Sequence, residues 1–172
     1  FVTNEKAGNI IYSNQRQGIY KDITEKSGLK SSGGSGAVAV GDYNNDGFSD
    51  LFITSVKAGI YELFRNKGNG TFELEENTQE MFAALQNVKG YDASFFDFDN
   101  DGFIDLLIAG ESEKIGERGL FLFHNDGKGN FTNVSEILPA EPKSGRQIAV
   151  FDYNEDGDPD LVIAGINGGV FL

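Results

Sequence analysis

The chain has 172 residues, with 14 basic against 27 acidic side chains and a formal charge of −13. A field of that sign repels phosphate backbones and anionic lipid headgroups, which places nucleic-acid binding and electrostatic membrane attachment last among the function classes. With 39% hydrophobic and 12% aromatic residues the chain has a core to bury, unlike an acidic disordered tail; no Cys and one His leave little for disulfide frameworks, thiolate sites or histidine chemistry.

Phe1-Val-Thr3 with Lys6-Ala-Gly8 matches Phe52-Ile-Thr54 with Lys57-Ala-Gly59, so the first residues read as a strand that follows an acidic loop. Ile11-Tyr-Ser-Asn14 is a weak copy of a later hairpin. Ala37-Val-Ala-Val40 is the first clear strand, and it enters the acidic nonapeptide Asp42–Asp50, from which Leu51-Phe-Ile53 leads out. Leu63-Phe-Arg-Asn66-Lys-Gly-Asn-Gly70-Thr-Phe72 predicts a hairpin, because its glycines and asparagines supply positive φ between apolar residues. Gln79–Gln86 predicts a turn or two of helix. The acidic loop returns at Asp97–Asp105, followed by Leu106-Leu-Ile108 and by the hairpin Leu122-Phe-His-Asn125-Asp-Gly-Lys-Gly129-Asn-Phe131. A further turn of helix is expected at Glu136–Leu138. Ile148-Ala-Val-Phe151 enters a third loop, Asp152–Asp160, and Leu161-Val-Ile163 leaves it. Gly169-Val-Phe-Leu172 resembles Gly119-Leu-Phe-Leu122. No stretch approaches the ~20 apolar residues of a spanning helix.

Asp42, Asp97 and Asp152 stand 55 residues apart, and a fixed period of that length decides architecture more strongly than local propensity. About four short strands per repeat is the size of a propeller blade. The fold class read from the sequence is therefore all-β, with blades of about four antiparallel strands in roughly three repeats. Residues 1–172 form one β-propeller segment, and the fractional repeats at its two ends predict a three-blade window on a longer array.

The nonapeptide places side-chain oxygens at positions 1, 3, 5 and 9 and a backbone carbonyl at position 7. A hard cation such as Ca²⁺ takes six to eight oxygens at ~2.3 to 2.6 Å, and alternating Asp and Asn in a tight loop can aim several at one point. The expected ligands are Asp42, Asn44, Asp46 and Asp50 with the Phe48 carbonyl; Asp97, Asp99, Asp101 and Asp105 with the Phe103 carbonyl; and Asp152, Asn154, Asp156 and Asp160 with the Asp158 carbonyl. Gly47, Gly102 and Gly157 at position 6 permit the sharp turn. An EF-hand is excluded, because its loop closes with Glu at position 12, where this chain has Ile53, Ile108 and Ile163. Three carboxylate-rich loops in register predict about three Ca²⁺ sites, since like charges packed so closely oppose their own ionisation unless a cation neutralises them.

Taken together, the D-x-[DN]-x-D-G-x-x-D-L unit, its preceding apolar strand and the Leu-Phe-x-Asn-x-Gly-x-Gly-x-Phe hairpin resemble the FG-GAP/VCBS repeats of integrin α-subunit-like β-propellers. The resemblance covers essentially the whole chain. It implies a propeller, commonly of seven blades, with Ca²⁺ in a loop between strands of each blade, in secreted or surface proteins. The Gly-Ala-Pro of the family is replaced by Ile53-Thr-Ser55, Ile108-Ala-Gly110 and Ile163-Ala-Gly165, and of the Phe-Gly half only Gly90 and Gly145 remain, with Ser35 at the equivalent place. These departures resemble the bacterial-type VCBS branch.

No catalytic constellation is expected. His124 occupies the hairpin position of Arg65 and Ser13 and reads as an exposed residue beside a turn, and identical acid pairs in every repeat point to metal sites where a glycosidase would need one pair. The chain is therefore read as a non-enzymatic scaffold for protein partners, extracellular, at the cell surface or periplasmic. A calcium-dependent carbohydrate-binding propeller is the alternative. Tyr43, Phe98 and Tyr153 at loop position 2 could stack on a sugar, but an aromatic in one slot of each repeat reads first as packing between blades, and the chain has no Trp. Ten of the 27 acidic side chains stand at ligand positions, which leaves 17 acids facing 14 bases elsewhere. The acidity thus resides mostly in the loops.

Overall fold

The computed structural model describes residues 1–6, 8–30, 34–165 and 170–171. Thirteen strands are seen among them: β1 (Tyr12–Asn14), β2 (Tyr20–Asp22), β3 (Ser35–Gly41), β4 (Asp50–Ser55), β5 (Glu62–Asn66), β6 (Phe72–Leu74), β7 (Val88–Phe96), β8 (Asp105–Ser112), β9 (Leu120–Asn125), β10 (Phe131–Asn133), β11 (Gly145–Phe151), β12 (Asp160–Gly165) and β13 (Val170–Phe171). Each 55-residue interval becomes an antiparallel meander: β3-β4-β5-β6 is the first full sheet, β7-β8-β9-β10 the second and β11-β12-β13 the third. β1 and β2 pair as β5 and β6 do, and the Val2–Ile10 bridge stands where Ile53 pairs with Glu62. β13 meets β12 through Ile163–Phe171, as β9 meets β8 through Ile108–Phe121. Ala7, Gly169 and Leu172, which enter the terminal matches noted above, lie outside the described residues.

The sheets stand side by side as propeller blades and do not close into a ring. β7 packs against β3 and β4 of the blade before it, and β11 packs against β7 and β8. The alternation of a strand buried on both faces explains the run Leu106–Ala109. Leu106 and Ile108 join Phe52, Leu63 and Phe82 in the core between the first two blades, whereas Leu107 and Ala109 join Ile163 in the core between the second and third. Phe82 is the wedge of the first interface, edge-on to Phe52 at 5.0 Å and to Phe123 at 4.9 Å between ring centroids. It sits between α2 (Thr78–Met81) and a 3-10 turn at Ala83–Leu85, which together form the turn or two of helix expected at Gln79–Gln86; a second 3-10 turn covers Ser135–Ile137. A further short helix, α1 (Thr24–Ser27), opens where Asp22 accepts hydrogen bonds from the Thr24 amide and hydroxyl.

One device of the first strands escapes the sequence. β3, β7 and β11 each carry an extra residue against their partner, between Ser35 and Val38, between Gly90 and Asp92, and between Gly145 and Gln147. These bulges fall where the Phe-Gly half of the repeat would stand. A Cβ on Gly36 would lie 2.5 Å from the Gly90 carbonyl oxygen, and one on Gly90 would lie 2.7 Å from Cβ of Thr54. Neighbouring first strands thus approach more closely than a side chain allows. Asp92, at the second bulge, accepts hydrogen bonds from its neighbour Ala93 and from the amide of Ile148 in the next blade, at 2.9 and 2.8 Å.

Candidate metal centres

The three acidic loops join the first strand of each blade to the second: L1 (42–50), L2 (97–105) and L3 (152–160). They share one backbone. Position 4 and position 6 both have positive φ: 55° and 89° at Asn45 and Gly47, 59° and 89° at Asn100 and Gly102, 63° and 93° at Glu155 and Gly157. The glycine was legible in the sequence and the left-handed residue before it was not, although Asn tolerates that region better than most residues.

The candidate ligands hold this backbone themselves. The position 1 carboxylate accepts the amides of positions 5 and 6, at 3.0 and 2.8 Å for Asp42, 3.1 and 2.8 Å for Asp97, and 3.2 and 2.9 Å for Asp152. Asn44 and Asn154 at position 3 accept the amide of position 5. Asp46, Asp101 and Asp156 at position 5 accept the amide of position 7. Asp50, Asp105 and Asp160 at position 9 accept the amide of position 2, at 3.3, 3.0 and 2.9 Å. These hydrogen bonds orient the candidate ligands within each loop.

The two landmarks of the repeat meet here. Asn66 and Asn125, at the hairpin turns, donate their amides to Asp50 and Asp105 at 2.7 and 2.8 Å, and their side chains donate to the position 8 carbonyls of Ser49 and Ile104. The position 7 rings lie on hairpin glycines: a Cβ on Gly68 would come within 2.5 Å of the Phe48 ring, and one on Gly127 within 2.4 Å of the Phe103 ring. Hairpin and loop therefore need each other's residues. Asp50 and Asp105 are fully buried in consequence. Burial pushes the Asp50 carboxyl up to about 6, against the lowering effect of the Asn66 amide and with a further rise from Asp46. Burial likewise raises Asp105, opposed by the amides of Asn125 and Phe98. A bound dication would reverse both shifts.

Two oxygens held at ~2.3 to 2.6 Å from one Ca²⁺ can lie at most about 5 Å apart. Asp97, Asp99 and Asp105 each offer an oxygen within 4.8 Å of the others, a triad whose size fits a calcium shell; Asp99 and Asp101 each offer one within the same distance of a ring nitrogen of His124. In L1 the side-chain nitrogen of Asn44 is buried without a hydrogen-bond partner.

His124 departs from the sequence reading. Its side chain is 30% exposed and lies over L2, with Nε2 3.2 Å from Asp99 and 3.4 Å from Asp101, so it is not a solvent-facing residue beside a turn. Arg65 takes the same place over L1, with Nη2 3.1 Å from Asp46. A basic side chain just before the hairpin Asn in both repeats was the available signal. The position 2 aromatics divide. Tyr43 is buried between blades, 5.9 Å from Phe131, and donates its hydroxyl to Glu75. Phe98 is half-buried and edge-on to His124, whereas Tyr153 is 57% exposed.

A family model described as FG-GAP-like repeat matches residues 1–53, 50–108 and 97–163. Cartilage acidic protein 1 of Xenopus tropicalis is 28% identical over 152 residues, which cover 87% of this chain and 23% of that protein. Integrin alpha-3 of Mus musculus is 23% identical over 154 residues, and Integrin alpha-4 of Xenopus laevis is 29% identical over 153; each match covers 79% of this chain and 14% of the relative. The chain thus spans less than a quarter of the length of the curated relatives it matches.

Proposed function

The chain belongs to the FG-GAP-like repeat family, and from that premise we propose that it is a calcium-stabilised propeller segment serving as an extracytoplasmic platform for protein partners. The observation that carries the reading is the convergence of Asp97, Asp99 and Asp105 on a volume of calcium size. L1 and L3 repeat the L2 backbone with Asn at position 3, which is a neutral oxygen ligand, and about three Ca²⁺ sites follow, with the fifteen residues named from the sequence as their ligands. Each ion would join the end of one strand to the start of the next and neutralise the loop, so binding and folding are linked. Sites with Kd of ~10⁻⁴ to 10⁻³ M suffice for such a module outside cells. An extracellular, cell-surface or periplasmic setting fits that affinity range.

The open arrangement of the sheets supports a segment of a larger propeller, for which the resemblance implies seven blades as the common number. The missing Gly-Ala-Pro supports the bacterial-type branch of the family. The relatives named for cartilage and integrins support protein partners, in an accessory or scaffolding role and without catalysis.

Thermal melting with excess EDTA and with added Ca²⁺ tests the reading. The transition is expected to fall in chelator and to return with Ca²⁺ and not with Mg²⁺, whose octahedral shell tolerates this ligand set less well. A transition indifferent to both would overturn it. A glycan screen in Ca²⁺ separates the platform from a lectin: a sugar-competed signal would replace the protein-partner reading.

A further inference from the structure

We infer that the calcium sites of L1 and L2 are coupled through Asn125, a positioning residue that donates to the Asp105 carboxylate of L2 and to the Tyr43 carbonyl of L1. Coupling of this kind presupposes the calcium sites proposed above. Asn125 closes β9 and is fully buried. Its amide N–H donates to Asp105 at 2.8 Å, which is position 9 of L2. Its side-chain nitrogen donates to Ile104 of L2 at 2.9 Å and, across the blade interface, to the carbonyl of Tyr43 in L1 at 2.7 Å. The Tyr43 amide in turn donates to Asp50, which is position 9 of L1. Two metal-ligating carboxylates in different blades are therefore joined by two residues, Asn125 and Tyr43. The Tyr43 ring, set against Phe131 and above Gly129 of the second hairpin, keeps the path rigid.

The equivalent residue of the first blade shows what is particular to Asn125. Asn66 also donates its amide to Asp50 and its side chain to the loop carbonyl of Ser49, both within its own blade. It supports one site, where Asn125 supports two. An ion in L2 fixes Asp105, hence Asn125, hence the Tyr43 carbonyl, and so removes freedom that L1 would otherwise lose on filling. The linkage is reciprocal and its sign is positive: each ion strengthens the other.

Terbium luminescence reads L1 separately, because Tb³⁺ takes the same hard oxygen ligands and Tyr43 adjoins that loop. Asp156→Ala is introduced throughout to disable L3, where Tyr153 would also sensitise the ion. Displacement of Tb³⁺ by Ca²⁺ is then measured with L2 intact and with L2 disabled by Asp101→Ala. The affinity of L1 for Ca²⁺ is expected to fall about fivefold or more when L2 is disabled, the lower range of measured couplings. Adding Asn125→Ala should make the two values coincide, while Asn66→Ala should weaken L1 and leave its response to Asp101→Ala in place. Loss of general stability would lower all affinities without removing that response. If Asn125→Ala does not fold, Asn125→Ser, whose hydroxyl can still accept the Gly127 amide at the turn, serves in its stead. An L1 affinity indifferent to Asp101→Ala, or a response that survives removal of the Asn125 side chain, overturns the coupling. Absence of any Ca²⁺ binding in Asp156→Ala alone would instead overturn the calcium reading on which it stands.

Discussion

L1 sets Arg65 against Asp46, and L2 sets His124 against Asp99 and Asp101. The two loops agree in backbone, in their hydrogen bonds and in the hairpin that supports them. They differ in the charge that fills them: three carboxylates and an amide beneath a guanidinium in L1, four carboxylates beneath an imidazole in L2. A guanidinium carries its charge at every accessible pH, and an imidazole does not. The repeat thus fixes the geometry of a site, while position 3 and the residue before the hairpin Asn set its electrostatics. With four carboxylates to three, L2 is the loop that would gain more from a dication, while Asp46 of L1 is already paired with Arg65.

Position 9 carries the largest effect. Asp105→Ala removes a buried acceptor from two amides, those of Phe98 and Asn125, whereas Asp101→Ala in the same loop removes an exposed one from the amide of Phe103. With about 1 to 3 kcal/mol for each buried donor left unpaired, Asp105→Ala should cost about 2 to 6 kcal/mol even in EDTA, and Asp101→Ala about 1. Urea denaturation checks both. Equal losses would show that the hairpin does not distinguish the two positions.

Smaller effects follow from the glycines that seat loop on hairpin. Gly127→Ala sets a methyl against the Phe103 ring at a residue with φ of 72°, and should cost about 2 to 3 kcal/mol; Gly102→Ala has φ of 89° and open space, and should cost about 1. A denaturation midpoint that moves equally for both would remove the Phe103 contact as the cause. Smaller still is the exchange of cations. Arg65→Ala frees Asp46 and should raise the Ca²⁺ affinity of L1 by several-fold, since an exposed ion pair of this kind is worth about 0.2 to 1 kcal/mol. His124→Arg should lower that of L2 by a similar factor. Calorimetric titration reads both, and an unchanged affinity in each would leave the cations without influence on the metal.

The repeat explains what the sequence made legible. Alternating Asp and Asn before an invariably placed Gly marks the candidate ligands without reference to any other segment, because nine consecutive residues build that backbone. The 55-residue interval marks the blades because each must present the same faces to its neighbours. What stayed hidden depends on register between distant segments. His124 and Arg65 reach their loops only through hairpins whose preceding connections differ, 113–119 in the second blade and 56–61 in the first. The bulges of β3, β7 and β11 add one residue that no local pattern marks. Asn125 reads as a turn residue, and its reach to Tyr43 exists only once two blades have packed.

Asp92 supplies a small effect that is independent of the candidate metal ligands. Its carboxyl is held above the usual range by burial, which outweighs the amides of Ile148 and Ala93 that favour the charged form. A raised value in the fold means that the folded chain binds the proton more tightly than the unfolded chain does. The stabilisation from this residue is therefore fully present below the ordinary Asp value and is lost as the pH rises through the raised one. Asp92→Asn cannot titrate and gives up one of the two accepted amides, for a constant loss of about 1 kcal/mol. Measured by urea in EDTA from pH 3 to 7, the stability gap between the parent and Asp92→Asn should narrow as the pH rises, because only the parent loses its contribution. A gap that widens would mean that the amides of Ala93 and Ile148 together outweigh burial, and that the bulge of β7 stabilises a charge at the blade interface.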